Sequence, residues 1–175
     1  MAAKGVTVEQ LWAPWRLAYV KQPDRAPADA CFVCRAARGD GSTDREDLVV
    51  GRTAYSVVVL NRFPYNNGHL LVSPLAHKAE LADLTDAETL DLQAVLTRLI
   101  GVLRRRLNAE GFNVGLNLGA VAGAGLPGHL HWHAVPRWVG DTNFMPVLTD
   151  AKVIVQSLDS LWELLRAEWP GAASC

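Results

Sequence analysis

The chain has 175 residues, half of them hydrophobic and one fifth charged, with a net charge of −1; this is apolar mass enough for one globular core and too little positive charge to hold nucleic acid by its summed field. No apolar run reaches membrane-spanning length, and the N-terminus lacks the basic, apolar and small-residue order of a secretory signal, so the expected compartment is the cytoplasm. Three cysteines, two of them in Cys31-Phe32-Val33-Cys34, then suit a metal knuckle or a thiol pair better than a disulfide framework.

Residues 1–30 read as irregular, broken by Pro14, Pro23 and Pro27 but carrying the aromatic stretch "LWAPWRLAYV", which is expected to pack on the body or on a second subunit. After the knuckle, "GDGSTDRED" at 39–47 is a polar loop, and the valine-rich "AYSVVVLN" at 54–61 predicts a strand ending at Asn61. "FPYNNG" turns the chain, and "HLLVSP" at 69–74 returns it as the second half of a hairpin-like unit closed by Pro74. His77 follows in "SPLAHKAEL".

Over 85–109 the apolar positions recur at helical spacing, behind a Thr85 cap with Glu88 three residues later, which predicts a long helix with a capping box. "FNVGLNL" at 112–118 is a third long strand containing Asn117, and a final helix is expected over 158–168. Hairpin strands with segregated helices make the expected class α+β, with a mainly antiparallel sheet in one domain, 1–175, of which 1–46 form an N-terminal segment with the knuckle and 47–175 the sheet and helices.

Two adjacent features carry chemistry. In the glycine-rich "GAVAGAGLPG" at 119–128, the backbone amides around Gly123, Ala124 and Gly125 could approach and cradle an anion. It leads directly into "HLHWHAVPR", which holds His129, His131 and His133 of a chain with only five histidines. On a strand the three would share one face. A neutral imidazole attacks phosphorus competently when an acceptor holds its other nitrogen, and His131, flanked by the other two, is the natural nucleophile. A three-histidine metal site is the competing use of the row. Against it, the knuckle needs two more donors for a tetrahedral site, and His77 and His129 can supply them to Cys31 and Cys34. Arg137 suits either a phosphate contact or a surface ion pair, and Arg104 to Arg106 suit a solvated cluster at a helix C-terminus.

"HLHWHAVPR" resembles the signature of the histidine-triad (HIT) family, and the likeness extends through "LWAPWRLAYV", "LNRFPYNNGHLLVSP", "GFNVGLNLG" and "GDTNF", nearest to the bacterial diadenosine tetraphosphate (Ap4A) phosphorylase-like branch. The resemblance implies a homodimer whose two sheets join, and cleavage of an adenine nucleotide through a nucleotidyl intermediate on His131, supported by His129 and His133. It implies a ribose contact at Asn61, a polar contact near the phosphates at Asn117, and structural zinc on Cys31, Cys34, His77 and His129, with no organic cofactor. Phosphorolysis of Ap4A to ADP and ATP, using inorganic phosphate, is the expected reaction. The alternatives are hydrolysis of dinucleoside polyphosphates, adenylyl sulfate or phosphoramidates, and a zinc-stabilised nucleotide-binding module without turnover. Where many members carry Gln-Ser or Gln-Thr in the glycine loop, this chain has Ala124-Gly125-Leu126. That leaves the amides of Gly123 to Gly125, or His133, to manage the leaving group.

Overall fold

The computed structural model describes residues 31–141 and 154–170. The aromatic N-terminal stretch and most of "GDTNF" lie outside them. Five strands form one antiparallel sheet: β1 (Val49–Arg52), β2 (Ser56–Leu60), β3 (Leu70–Pro74), β4 (Gly111–Leu116) and β5 (Trp132–Arg137), in spatial order β1-β2-β3-β5-β4. The three helices of the described residues are α1 (Phe32–Arg38), α2 (Asp86–Leu107) and α3 (Leu158–Arg166). The α+β expectation holds, and the hairpin of β2 and β3 is paired residue for residue from Ser56↔Pro74 to Leu60↔Leu70.

The long helix starts where its sequence says it should. Thr85 Oγ1 accepts from the Glu88 amide and Glu88 Oε2 accepts from the Thr85 amide at 2.7 Å, the reciprocal pair of a capping box. Glu88 also takes the ammonium of Lys78 at 2.6 Å, and this partner first, then the Thr85 amide, holds its carboxyl down to about 2. Leu92, Val95, Leu96, Leu99, Val102 and Leu103 recur on one side of α2 and are all buried against the sheet. Truncating any of these leucines to alanine is worth roughly 2–5 kcal/mol, because neighbours refill the void only in part.

Two elements were not legible as such in the sequence. The segment 32–38 is a seven-residue helix with Cys31 as its N-cap, too short for a periodic signal. β1 is a four-residue strand irregularly paired with β2 between Val49 and Gly51. Gly51 is required there, since a Cβ at that position would fall inside the Trp169 indole that closes this end of the core.

The histidine stretch departs from the expected strand. Only His133 belongs to β5, pairing with Leu71 of β3 and Gly115 of β4, while His129 and His131 precede the ladder. The β3–β5 ladder reaches only Val72↔Trp132, and Ser73 and Pro74 of β3 pair with β2 alone. Leu130 instead donates its amide to the Lys78 carbonyl at 2.7 Å, and His129 donates to Leu126. The rings of His131 and His133 still lie side by side, with centroids 5.2 Å apart.

Candidate functional site

Each of the three histidines is given a separate partner by this bent entry into β5. His129, 1% exposed, donates from Nε2 to the Pro74 carbonyl at 2.9 Å. That bond leaves its Nδ1 as a lone pair, directed at Cys31 Sγ at 3.4 Å and Cys34 Sγ at 3.6 Å. His77 completes the group with Nδ1 at 3.1 Å from Cys34 Sγ. One donor atom from each of Cys31, Cys34, His77 and His129 lies within 4.8 Å of all the others. The capping geometry of α1 brings the two sulfurs together, since Cys31 Sγ accepts from the Cys34 amide.

Burial, then the nearby Cys31, pushes the Cys34 thiol up to about 11, so a bound cation must displace its proton, while burial pushes His129 down to about 4 and keeps it the neutral imidazole that ligation needs. A borderline-soft divalent ion favours two thiolates and two neutral imidazoles in tetrahedral array, and a carbonyl on the far ring nitrogen is the usual orienting partner of such a ligand. Thus the cluster fits a metal by donor type, spacing and ring orientation.

His131 is held by the main chain of its neighbour. Its Nδ1–H donates to the His129 carbonyl at 2.8 Å, so Nε2 keeps its lone pair. The ring is 6% exposed, and burial lowers its pKa below the ordinary histidine value. At neutral pH it is an uncharged imidazole with one orientation and one basic nitrogen.

His133 stands edge-on to His131, with ring centroids 5.2 Å apart. Its Nδ1 is 2.9 Å from Nε2 of His69, the one histidine the sequence reading did not single out. His69 is fully buried at the start of β3, and its Nδ1 receives the Tyr65 amide at 3.0 Å and the Asn61 side-chain amide at 3.2 Å. A signal existed: "GH" opens the strand that pairs with β5, so His69 and His133 had to fall near each other once that pairing was drawn. The Nε2 of His133 is buried without a hydrogen-bond partner among the described residues, and burial, with His131 beside it, holds the ring at about 4.

Asn61 sits at the end of β2, its carbonyl accepting from the Phe63 amide at 2.9 Å and its amide on His69. It lines a cleft of about 260 Å³ with Phe32, Leu48, Val59, Phe63 and Leu71. Val59 pairs with Leu71, which pairs with His133, so His133 is the next residue in the sheet row that supplies two residues of the cleft. Asn117 follows β4 and donates to the Gly123 carbonyl at 3.4 Å. Within the loop, the Gly123 and Ala124 amides donate to Ala120 and Gly119 carbonyls at 2.9 and 3.3 Å. Of the three expected anion donors, Gly125 is left with an amide that no described carbonyl takes. Arg137 forms a two-pronged ion pair with Asp141 at 2.6 and 3.0 Å and reaches Asn113 at 2.9 Å, the surface reading of that residue. Arg105 and Arg106 pair with Glu168.

Residues 42–139 match the family model of the HIT domain. The chain is 42% identical over 168 residues, covering 93% of itself and 85% of the relative, to a Mycobacterium tuberculosis protein named AP-4-A phosphorylase. It is 34% identical over 90 residues, 51% of its length and 49% of the relative's, to the asymmetrical bis(5'-nucleosyl)-tetraphosphatase of Schizosaccharomyces pombe. Among solved structures, a zinc-bound histidine-triad family protein from Mycobacterium smegmatis superposes with a TM-score of 0.63 at 27% identity, over 81% of this chain and 94% of that one.

Proposed function

The chain belongs to the histidine-triad (HIT) family, and on that premise we propose that it is a nucleotidyl-transferring enzyme that splits a dinucleoside polyphosphate by phosphorolysis, Ap4A to ADP and ATP. The observation that carries the reading is the bond from His131 Nδ1 to the His129 carbonyl, which frees Nε2 for attack. The 42% identity to an AP-4-A phosphorylase over nearly the whole chain supports the choice of substrate.

The first step forms a bond from His131 Nε2 to the α-phosphorus and breaks the anhydride bond, with the electron pair leaving on the oxygen of ATP. His133 Nε2–H, buried beside His131, offers a donor to the charge that develops on the phosphoryl group. In the second step an oxygen of inorganic phosphate attacks the same phosphorus, the N–P bond breaks, and ADP departs. The cleft beside Asn61 is placed for the nucleoside, with Phe32 and Leu71 against the base and Asn61 toward the ribose. Asn117 and the Gly125 amide lie on the loop side, where a phosphate would sit; without the polar pair of many relatives, that loop offers few donors.

Cys31, Cys34, His77 and His129 would hold zinc, whose role there is to clip α1 to the loop after β3 and to fix the carbonyl that orients His131. The chain acts as one unit, 1–175, with the knuckle in 1–46 and the sheet and helices in 47–175. A second copy would extend the sheet at β4, an edge strand whose Asn113, Val114 and Gly115 are exposed. No described helix is long and apolar enough to cross a membrane.

The test is the product pattern in labelled phosphate. Label entering ADP, at a rate that rises with phosphate concentration, is the expected result. Unlabelled products formed equally fast without phosphate mean hydrolysis, the reading favoured by the likeness to the tetraphosphatase.

A further inference from the structure

Tyr65 lies on the turn between β2 and β3 and touches both members of the His69–His133 pair. Its backbone amide donates to His69 Nδ1 at 3.0 Å. Its ring lies 4.7 Å from the His69 ring, tilted by 33°, and 5.7 Å from the His133 ring at 19°, close to parallel. The ring is nonetheless about half exposed, at 46%, so the aromatic surface of a turn residue closes the solvent side of two histidines.

The amide has a consequence two rings away. An N–H can only donate, so His69 Nδ1 must be the acceptor of the Tyr65 amide; the Asn61 side-chain amide, 3.2 Å from Nδ1 and 3.4 Å from Nε2, does not choose between them. The neutral His69 then carries its proton on Nε2 and donates it to His133 Nδ1 at 2.9 Å. His133 in turn carries its own proton on Nε2, the buried atom that has no acceptor among the described residues. In the other tautomer of His69, His133 would offer the site a lone pair that repels phosphoryl oxygen.

We propose that Tyr65 is a positioning residue for the transfer step: its amide fixes the proton order along His69 and His133, and its ring fixes their planes, so that His133 meets the phosphoryl group as a donor. The inference rests on the nucleotidyl-transfer reading for its kinetic effect but not for the proton order, which exists without substrate. The contacts are made by ring and amide, so the hydroxyl is dispensable.

Two measurements test it. In the protein labelled with ¹⁵N-histidine, free of nucleotide, long-range ¹H–¹⁵N spectra at neutral pH are expected to show His69 and His133 both protonated at Nε2 and bare at Nδ1. A proton on His133 Nδ1 overturns the proposal whatever the enzyme's activity. In steady-state assays, Tyr65→Ala, which keeps the amide and tests the ring alone, is expected to lower kcat about 10- to 100-fold with KM for the dinucleotide changed less than about threefold, and Tyr65→Phe is expected to restore kcat. Circular dichroism melts show whether the alanine variant is folded; if it is not, Tyr65→Leu carries the same expectation. An effect confined to KM, with kcat kept, would mean that Tyr65 stacks on substrate rather than on the histidines, and the proposal would fail.

Discussion

The His131 ring and the His129 main chain are joined by a 2.8 Å hydrogen bond from Nδ1–H to the carbonyl oxygen, and His129 is itself pinned by its Nε2–H on Pro74 and its Nδ1 toward two sulfurs. The orientation of His131 is thus inherited from a residue of the Cys/His cluster. Replacing His131 by alanine removes the proposed attacking atom but none of these supports. The expected result is a fall in turnover of about three orders of magnitude or more, with a melting temperature within a few degrees of the parent; near-normal turnover would contradict the assignment.

For the metal cluster the expectation is one zinc per chain in protein purified without chelators. Cys34→Ser or His77→Ala is expected to lower metal content and to cost roughly 3 kcal/mol of stability, a drop in melting temperature of roughly 6–12 °C for a chain of this size. Metal analysis and thermal melts check this, and an absence of metal in the parent protein would refute it.

Acid should destabilise the fold through its buried histidines. His133 is held at about 4, against about 6.5 in an unfolded chain, so between these values the unfolded state binds the extra proton. Its stabilising contribution is therefore complete above pH 6.5 and is lost as pH falls toward 4. Melting temperature is expected to be level from pH 8 to 6.5 and to decline below it. Since burial lowers His131 as well, the acid limb of kcat/KM is expected below the ordinary histidine value; a limb at or above pH 6.5 would contradict the neutral network.

Glu88 offers a test of the link between α2 and the site. It caps the helix and pairs with Lys78, whose carbonyl holds the Leu130 amide between His129 and His131. Glu88→Ala is expected to lose about 1–2 kcal/mol from the cap. If the Lys78 loop then moves, turnover falls as well; unchanged stability would show that the cap is redundant.

The features that were readable in the sequence are those set by local chemistry. Thr85 and Glu88 announced the helix start, Pro74 and the valine run announced the hairpin, and Cys-x-x-Cys with His77 and His129 announced a cluster that the fold does assemble. What escaped depends on strand pairing. His69 has no motif of its own and acquires meaning only because β3 lies beside β5. The β3–β5 pairing reaches only Val72↔Trp132, so His129, His131 and His133 meet three different partners, which period-two reasoning along one strand does not show. The loop amides were equally beyond reach, because the turn at 120–122 that takes up Gly123 and Ala124 is set by two left-handed glycines, Gly119 and Gly123.

The central claim is a covalent bond between His131 and the nucleotide. Incubation with Ap4A labelled at the α-phosphorus, followed by rapid quenching into base, where a phosphoramidate survives, and peptide mass spectrometry, tests it directly. The account predicts an AMP adduct on the peptide containing His131, absent in His131→Ala and discharged to labelled ADP when phosphate is added. Turnover with no adduct at any quench time, or an adduct on another residue that survives in His131→Ala, would contradict it.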